Sequence, residues 1–345
     1  MSPDKIFVIS LFLISIFLTG ALLILEKKET TINNGKAAML VKDISQPSIK
    51  EHPVFFETSK TKTGGDIWIR PDTAPFFKPW RDWNVEEPQI EAKSAILMEV
   101  KLENDSTNPP LIKQERILFQ KNIEEPLPIA SLTKIMSALI VLENMDLQNS
   151  IKISKEAVNQ EGEAGELVVG EEILVKNLLY AMLLESSNDA AFALSLALGY
   201  DNFIDLMNKK ANSLQLKNTY FSNPTGFDNP QNFSTSYDLA RLLTYSLKNQ
   251  FLWQILKTRV FEARDISGKI FHHWKNTNKL LEEVPRIIGG KTGWTMKAGG
   301  CVALAIDNPK NNSRIFSVLL GSPDENKRFE ETKKLIDWVL SAYQW

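Results

Sequence analysis

Three serine–lysine pairs stand three residues apart in this 345-residue chain: Ser2 with Lys5, Ser59 with Lys62, and Ser131 with Lys134. A serine hydroxyl is a weak nucleophile until a neighbouring base takes its proton, and a lysine amine held neutral is such a base. Two Lys-Thr-Gly tripeptides begin at Lys62 and Lys291, and two Ser-x-Asn tripeptides pair Ser106 with Asn108 and Ser186 with Asn188. These supply a cation, hydroxyls and amides of the kind that hold a peptide. In a chain of this length Ser-x-x-Lys is expected roughly once or twice by chance, and Lys-Thr-Gly about a tenth of a time. Counting does not choose among the copies; physical setting does.

Ser131 and Lys134 lie in "PIASLTKIMSALIVLENM", which predicts a helix over residues 130–145, apolar on nearly every side and so a core helix. Spacing of three puts the two side chains on one face, one turn apart. Pro128 just precedes the helix, which places Ser131 in the first turn, where unpaired N–H groups and the helix dipole favour the negative charge of an oxyanion. Lys134 sits among Ile135, Met136, Leu139 and Ile140, and burial lowers a lysine's pKa. The bland alternative is a lysine that snorkels to the surface. Ser59 and Lys62 occupy "ETSKTKTGGD", which has no apolar face, and there one lysine would have to serve both motifs. Ser2/Lys5 precedes an apolar run, and Ser106/Asn108 lies in a polar loop; these copies read as accidental.

The second copies are better placed. "LLYAMLLESSNDAAFAL" sets Ser186 and Asn188 at a break between two apolar helices, where a polar loop can face a site or where Ser187 or Asn188 can cap the second helix. "IIGGKTGWTMKAGGCVALA" puts Lys291, Thr292 and Gly293 on a strand flanked by glycines, whose missing side chains allow close approach of another backbone. An extended peptide lying on such an edge would meet Lys291 with its carboxylate.

The elements that must carry these residues can be read from the pattern. "SAILMEV" and "RILFQKN" predict strands over 94–100 and 116–122, joined by a long polar loop. Helices are expected over 175–184, 189–198, 201–214 and 236–247. Strands return over 286–295, 300–306 and 314–320, and an amphipathic helix closes the chain with Phe329, Leu335, Ile336, Val339 and Leu340 as its stripe. Strands open and close the domain with helices between. The fold class is therefore α+β, one antiparallel sheet formed by N- and C-terminal strands and covered by helices. The catalytic domain is expected over 90–345.

A net charge of −2 implies no general attraction to nucleic acid. The single cysteine, Cys301, sits in the apolar run "CVALAI" and reads as a buried small residue. His52, His272 and His273 are the only histidines and have no metal-binding or triad motif around them. Residues 6–25 hold no charge and are long enough to span a bilayer, so they read as a transmembrane anchor, with a signal sequence as the alternative. Residues 1–5 form a short tail. Lys5 precedes the span and Lys27, Lys28 and Lys36 follow it, a balance that leans against export of the main domain, although long domains translocate regardless. Residues 26–89 read as a linker, polar at first and rich in aromatics over 66–88, the latter a strap packed on the domain rather than a sugar-stacking surface.

Four blocks together resemble the D-alanyl-D-alanine carboxypeptidase family, the low-molecular-mass penicillin-binding proteins: "PIASLTKIMSALIVLE", "LLYAMLLESSNDAAFAL", "MNKKANSLQLKNTYFSNPTGFDNPQNFSTSYDLARLL" and "GGKTGWTMKAGGCVALA". The likeness runs from about Ile90 to the C-terminus, and the spacing is similar, with 55 residues from Ser131 to Ser186 and 105 from Ser186 to Lys291. The resemblance implies a β-lactamase/transpeptidase-like fold. It implies that Ser131 is the acyl-enzyme nucleophile, Lys134 its base and Ser186 a proton relay to the leaving D-alanine. Asn188 would hold the peptide, Lys291, Thr292 and Gly293 would bind its carboxylate end, and the N–H groups of Ser131 and Trp294 would form the oxyanion hole. It further implies a peptidoglycan stem peptide ending in D-Ala-D-Ala as substrate, β-lactams as covalent inhibitors, no cofactor or metal, and a catalytic domain outside the bacterial cell membrane. "GWT" and "AGGC" depart from the commoner "GYT" and "AGYC", and only 52 residues follow Gly293, too few for the β-rich domain and C-terminal anchor of many members.

A β-lactamase shares these motifs, but the class with a deacylating glutamate has an asparagine four residues after it. Here Ile266 follows Glu262 at that offset, and Arg286 and Ile287 follow Glu282 and Glu283. A D,D-endopeptidase would use the same residues as a carboxypeptidase, and a membrane-tethered wall-binding protein with a dead site is opposed by intact motifs.

Overall fold

The computed structural model describes residues 79–102, 112–162, 165–311 and 313–345. The apolar run 6–25, most of the 26–89 linker, and the copies at Ser2/Lys5, Ser59/Lys62 and Ser106/Asn108 lie outside the described residues. Among the described residues no helix is long and apolar enough to cross a membrane.

Strands β1 (Trp80–Arg81), β2 (Ser94–Leu102) and β3 (Ile112–Lys121) open the body. A tight 3-10 turn, Ala130–Leu132, leads into helix α1 (Thr133–Asn144). Then come β4 (Ser150–Lys152), α2 (Lys155–Val158), β5 (Glu172–Leu174), α3 (Val175–Leu184), α4 (Asn188–Ala197), α5 (Tyr200–Ser213), α6 (Ser236–Ser246) and α7 (Gln250–Lys257). The hairpin β6 (Val260–Arg264) and β7 (Phe271–Lys275), the short helix α8 (Leu280–Glu283), β8 (Ile287–Thr295), β9 (Gly299–Asn308), β10 (Ser313–Ser322), α9 (Lys327–Ala342) and β11 (Tyr343–Gln344) complete it.

Five strands form one antiparallel sheet in the order β3-β2-β10-β9-β8. The strands from the two ends of the sequence meet at its centre, where Glu99 of β2 faces Ile315 of β10 and Ile96 faces Val318. Period-two alternation along β2 divides its side chains between two cores. Ile96, Met98 and Val100 join the large cluster with α1, α3 and α6, while Ala95 and Leu97 join Leu335, Trp338 and Val339 of α9. The sheet is thus covered on both faces, which is why its central strands are apolar on nearly every residue. Helix α1 is buried from Thr133 through Val141, as its unbroken apolar sequence predicts. Trp80 and Arg81, within the stretch read as linker, pair antiparallel with Gln344 and Tyr343 of β11.

The start of the Ser131 helix differs from expectation. Ala130 has φ 46°, in the left-handed region, so the chain enters through a 3-10 turn rather than through an α-helical first turn. The reason lies beneath it: the Asn223–Asp228 loop packs on the Ala130 carbonyl. A Cβ on Gly226, itself at φ +83°, would stand 1.9 Å from that oxygen, so the loop reaches this position only as glycine.

Candidate active site

Lys134 is fully buried and its Nζ gathers three acceptors from three segments: Ser131 Oγ at 2.9 Å, Asn188 Oδ1 at 2.7 Å and the Thr225 carbonyl at 2.6 Å. Ser131 comes from the turn at the start of α1, Asn188 from the first residue of α4, and Thr225 from the Asn223–Asp228 loop. Each segment is fixed by its own local bonds. Asn223 Oδ1 accepts from the N–H groups of Thr225 at 3.2 Å and Gly226 at 2.7 Å, curling the loop around one side chain. Ser187 is the N-cap of α4, its hydroxyl accepting from Ala190 N at 2.9 Å. The same hydroxyl donates to Asp189, whose carboxylate also accepts from Gly165 N at 2.9 Å. Asn188 Nδ2 donates to the Glu161 carbonyl at 2.6 Å, so its side-chain amide is held at both ends.

Ser186 is buried and adopts φ 69°, left-handed for a residue with a Cβ. Ala130 and Ser186 therefore both depart from ordinary backbone within a residue of the candidate groups, the kind of local strain that packing must sustain. Burial raises the neighbouring Glu185 carboxyl, against the Lys275 N–H that lowers it, with Glu166 and Asp189 repelling its charge.

The strand with Lys291, Thr292 and Gly293 is β8, the last in the sheet, and it lies against the Ser131 turn. A Cβ on Gly293 would stand 2.9 Å from Ser131 N and 2.9 Å from Ala130 Cβ. Arg328 Nη1 of α9 donates to the Gly293 carbonyl at 2.6 Å, tying β8 from below. Thr292 Oγ1 pairs with Thr277 Oγ1 at 2.7 Å, and Thr277 N donates to the Leu184 carbonyl at 3.0 Å, two residues before Ser186. Lys291 is 1% exposed, with Nζ donating to the Thr292 carbonyl at 2.9 Å. Trp294 is 37% exposed. Thr295, at the end of β8, donates to Asp228 Oδ1 at 2.6 Å.

The structure thus brings Ser131, Lys134 and Asn188 into one hydrogen-bonded group, sets Gly293 against Ser131, and links Thr292 through Thr277 to the end of the helix before Ser186. Sequence reasoning passed over Thr225, Thr277, Arg328 and Asp228. Thr225 and Asp228 belong to the "NPTGFD" block, whose side chains suggest no chemistry; Thr225 acts through its carbonyl and Gly226 through the absence of a side chain. Cys301, expected to be a buried small residue, is fully buried, and its thiol is pushed up to about 11 by that burial.

A buried lysine beside a serine, facing the edge strand of a helix-covered antiparallel sheet, defines a fold of the DD-transpeptidase class. The structure of a DD-transpeptidase from Streptomyces superposes with a TM-score of 0.67 at 28% identity, covering 74% of this chain and 100% of that one. Residues 82–324 match the family model of the D-alanyl-D-alanine carboxypeptidases, and the chain belongs to that family. It is 33% identical over 262 residues to the D-alanyl-D-alanine carboxypeptidase DacF of Bacillus subtilis, covering 74% of this chain and 63% of that relative. It is 29% identical over 258 residues to a D-alanyl-D-alanine endopeptidase of Escherichia coli, covering 73% of this chain and 78% of that relative. The chain therefore spans somewhat under two thirds of the Bacillus protein.

Proposed function

We propose that the protein is a serine-type D-alanyl-D-alanine carboxypeptidase acting on peptidoglycan stem peptides through an acyl-enzyme on Ser131. The observation that carries this reading is the setting of Lys134 Nζ, buried 2.9 Å from Ser131 Oγ with Asn188 Oδ1 and the Thr225 carbonyl also within hydrogen-bond distance. A neutral amine has two N–H donors and one lone pair. We assign the lone pair to the serine, with Asn188 Oδ1 and the Thr225 carbonyl among the acceptors of the N–H groups.

In the first step Ser131 Oγ attacks the carbonyl carbon of the penultimate D-alanine while its proton passes to Lys134. The N–H groups of Ser131 and Trp294 receive the developing oxyanion. Ser186 hands its proton to the leaving nitrogen and takes in return the one held by Lys134, the C–N bond breaks, and D-alanine departs. A water then attacks the ester, its proton passing to the neutral Lys134; the C–O bond to Ser131 breaks and Lys134 returns that proton to Ser131 Oγ, restoring both groups. Lys291 and Thr292 bind the terminal carboxylate, Asn188 holds the peptide, and Gly293 lets the strand lie close to Ser131. The chemistry calls for no metal or cofactor. β-Lactams acylate the same serine, and nucleic acid plays no part.

Residues 6–25 anchor the chain in the bacterial cell membrane, residues 26–89 link them to the body, and residues 90–345 work on the extracytoplasmic side; twenty uncharged residues and a wall substrate support this arrangement. The resemblance to an endopeptidase leaves hydrolysis of cross-links as a second reading.

Mass spectrometry of a wall pentapeptide and of a cross-linked dimer, each incubated with the protein, tests both. Loss of one alanine from the pentapeptide is expected, and cleavage of the dimer alone would replace the first reading by the second. A labelled penicillin is expected to form a stable adduct with wild type and none with Ser131→Ala. Equal labelling of the two would remove Ser131 from its role.

A further inference from the structure

Away from the reacting groups the structure buries an imidazole against a carboxylate. His272 Nε2 of β7 lies 2.8 Å from Glu171 Oε2, both residues are 4% exposed, and the proposed reaction uses neither. Glu171 Oε1 accepts from Val168 N at 2.6 Å, so this one carboxylate joins the β6–β7 hairpin to the segment 165–171. The same strand grips the other end of that segment, where Trp274 Nε1 donates to the Gly165 carbonyl at 3.0 Å. His272 and Trp274 share the inward face of β7, their rings 5.1 Å apart and 16° from parallel. Phe261 of β6 stacks 6.3 Å from Trp274, and Tyr180 of α3 stacks 3.6 Å from Phe261. The hairpin is thereby seated on α3, the helix that ends two residues before Ser186.

The segment so held lies directly on the turn between α3 and α4. A Cβ on Gly165 would stand 2.6 Å from Ser187 Oγ and 2.8 Å from Ser187 Cβ. Gly165 N and Leu167 N donate to the Asp189 carboxylate at 2.9 and 3.3 Å. Ser187 is the residue between Ser186 and Asn188, and Ser186 keeps its left-handed φ of 69° only while packing sustains it. A movement of Gly165 is therefore a movement of Ser187, and Ser186 goes with it.

We propose that His272 is a positioning residue for Ser186: through Glu171 it fixes the segment 165–171, which presses on Ser187 and so aims the hydroxyl of Ser186 at the leaving nitrogen. That proton transfer belongs to the carboxypeptidase reading, on which the proposal rests.

The test lies in the leaving group. An N-acetylated tripeptide ending in D-alanyl-D-alanine and its ester counterpart ending in D-alanyl-D-lactate have one shape and give the same acyl-enzyme. An amide nitrogen needs a proton in order to leave, whereas an ester oxygen departs more readily without one. The ratio of kcat/KM for the peptide to that for the ester therefore reads delivery of the proton and cancels any general loss of activity. His272→Phe keeps a ring on Trp274 but leaves one Glu171 oxygen without its partner, and it is expected to lower the ratio roughly tenfold. Combining His272→Phe with Glu171→Leu leaves no carboxylate buried and should give the same fall. His272→Gln, whose amide nitrogen takes the place of Nε2, should restore the wild-type ratio. Gly165→Ala, which crowds Ser187 without touching the hairpin, should depress it. A folded double variant with the wild-type ratio overturns the proposal, as does a glutamine variant as low as phenylalanine or an alanine variant at Gly165 with an unchanged ratio. Failure of both phenylalanine variants to fold would assign the pair to stability alone and overturn it too. Release of neither D-alanine nor D-lactate by wild type, together with absence of a penicillin adduct, would instead overturn the carboxypeptidase reading.

Discussion

Lys134 and Lys291 are both withdrawn from solvent, at 0% and 1% exposure, yet they are housed in opposite ways. Lys134 draws its neighbours from three segments far apart in sequence, with Asn188 and Thr225 lying 54 and 91 residues away. Lys291 lies within β8 and donates to the carbonyl of the next residue on its own strand. A buried ammonium is costly unless several oxygens surround it. A lysine caged by tertiary structure has one position and can serve as a base only there. A lysine on an edge strand is placed by the sheet itself. On the proposed function the first lysine is the proton carrier and the second the partner of the substrate carboxylate.

The comparison breaks most visibly at the first lysine. Lys134→Ala is expected to lower the acylation rate by labelled penicillin on the order of 10²–10⁴-fold, the range for loss of a positioned base, with the loss persisting at saturating ligand. Lys291→Ala removes a charge-assisted contact of about 1.5–3 kcal/mol. Its expected cost is roughly 10–100-fold in kcat/KM, carried mainly by KM. Stopped-flow acylation and steady-state peptide hydrolysis separate the two. A saturable defect at Lys134, or an unsaturable one at Lys291, would exchange their roles.

Gly293→Ala tests how closely the two lysines' supports must approach. The new Cβ would stand 2.9 Å from Ser131 N, so β8 must retreat from the turn that carries the serine. Overpacking of this kind costs about 1–3 kcal/mol, read as a lower denaturation midpoint, and it should weaken acylation together with stability. An alanine variant of wild-type stability and rate would show that the strand has room to spare.

The two supports also differ in how far the sequence discloses them. The fold is legible because its strands and core helices are written in apolar side chains: α3 falls on the expected residues 175–184, and the opening and closing strands share one sheet. Ser131, Lys134 and Asn188 are legible because their side chains, at helical spacing or at a helix start, form the hydrogen-bonded group. What braces Lys134 is not, since Thr225 offers a main-chain carbonyl that any residue possesses. The region 250–285 carries no sequence expectation either. Its hairpin buries Ala263, His272 and Trp274, an inward set without apolar alternation, and so β6 and β7 read as ordinary polar chain. Thr277 is hidden there for the same reason.

Thr277 sharpens the comparison at its finest grain. Its hydroxyl lies 2.7 Å from Thr292 Oγ1 and 3.3 Å from the Leu184 carbonyl. When it donates to Leu184, it can only accept from Thr292, whose proton is then turned away from the substrate; when it donates to Thr292, that proton is free for a carboxylate. Thr277→Val keeps the shape and removes the hydroxyl, so the orientation of the Thr292 proton loses one of its partners. The loss of one neutral hydrogen bond is worth about 0.5–1.5 kcal/mol, which corresponds to a rise in KM of roughly 3–10-fold with kcat nearly unchanged. Thr277→Ser restores the hydroxyl and should restore KM. A valine variant with wild-type KM would leave carboxylate recognition to Lys291 alone, and a serine variant as impaired as valine would assign the effect to packing against Leu184 instead of to the proton.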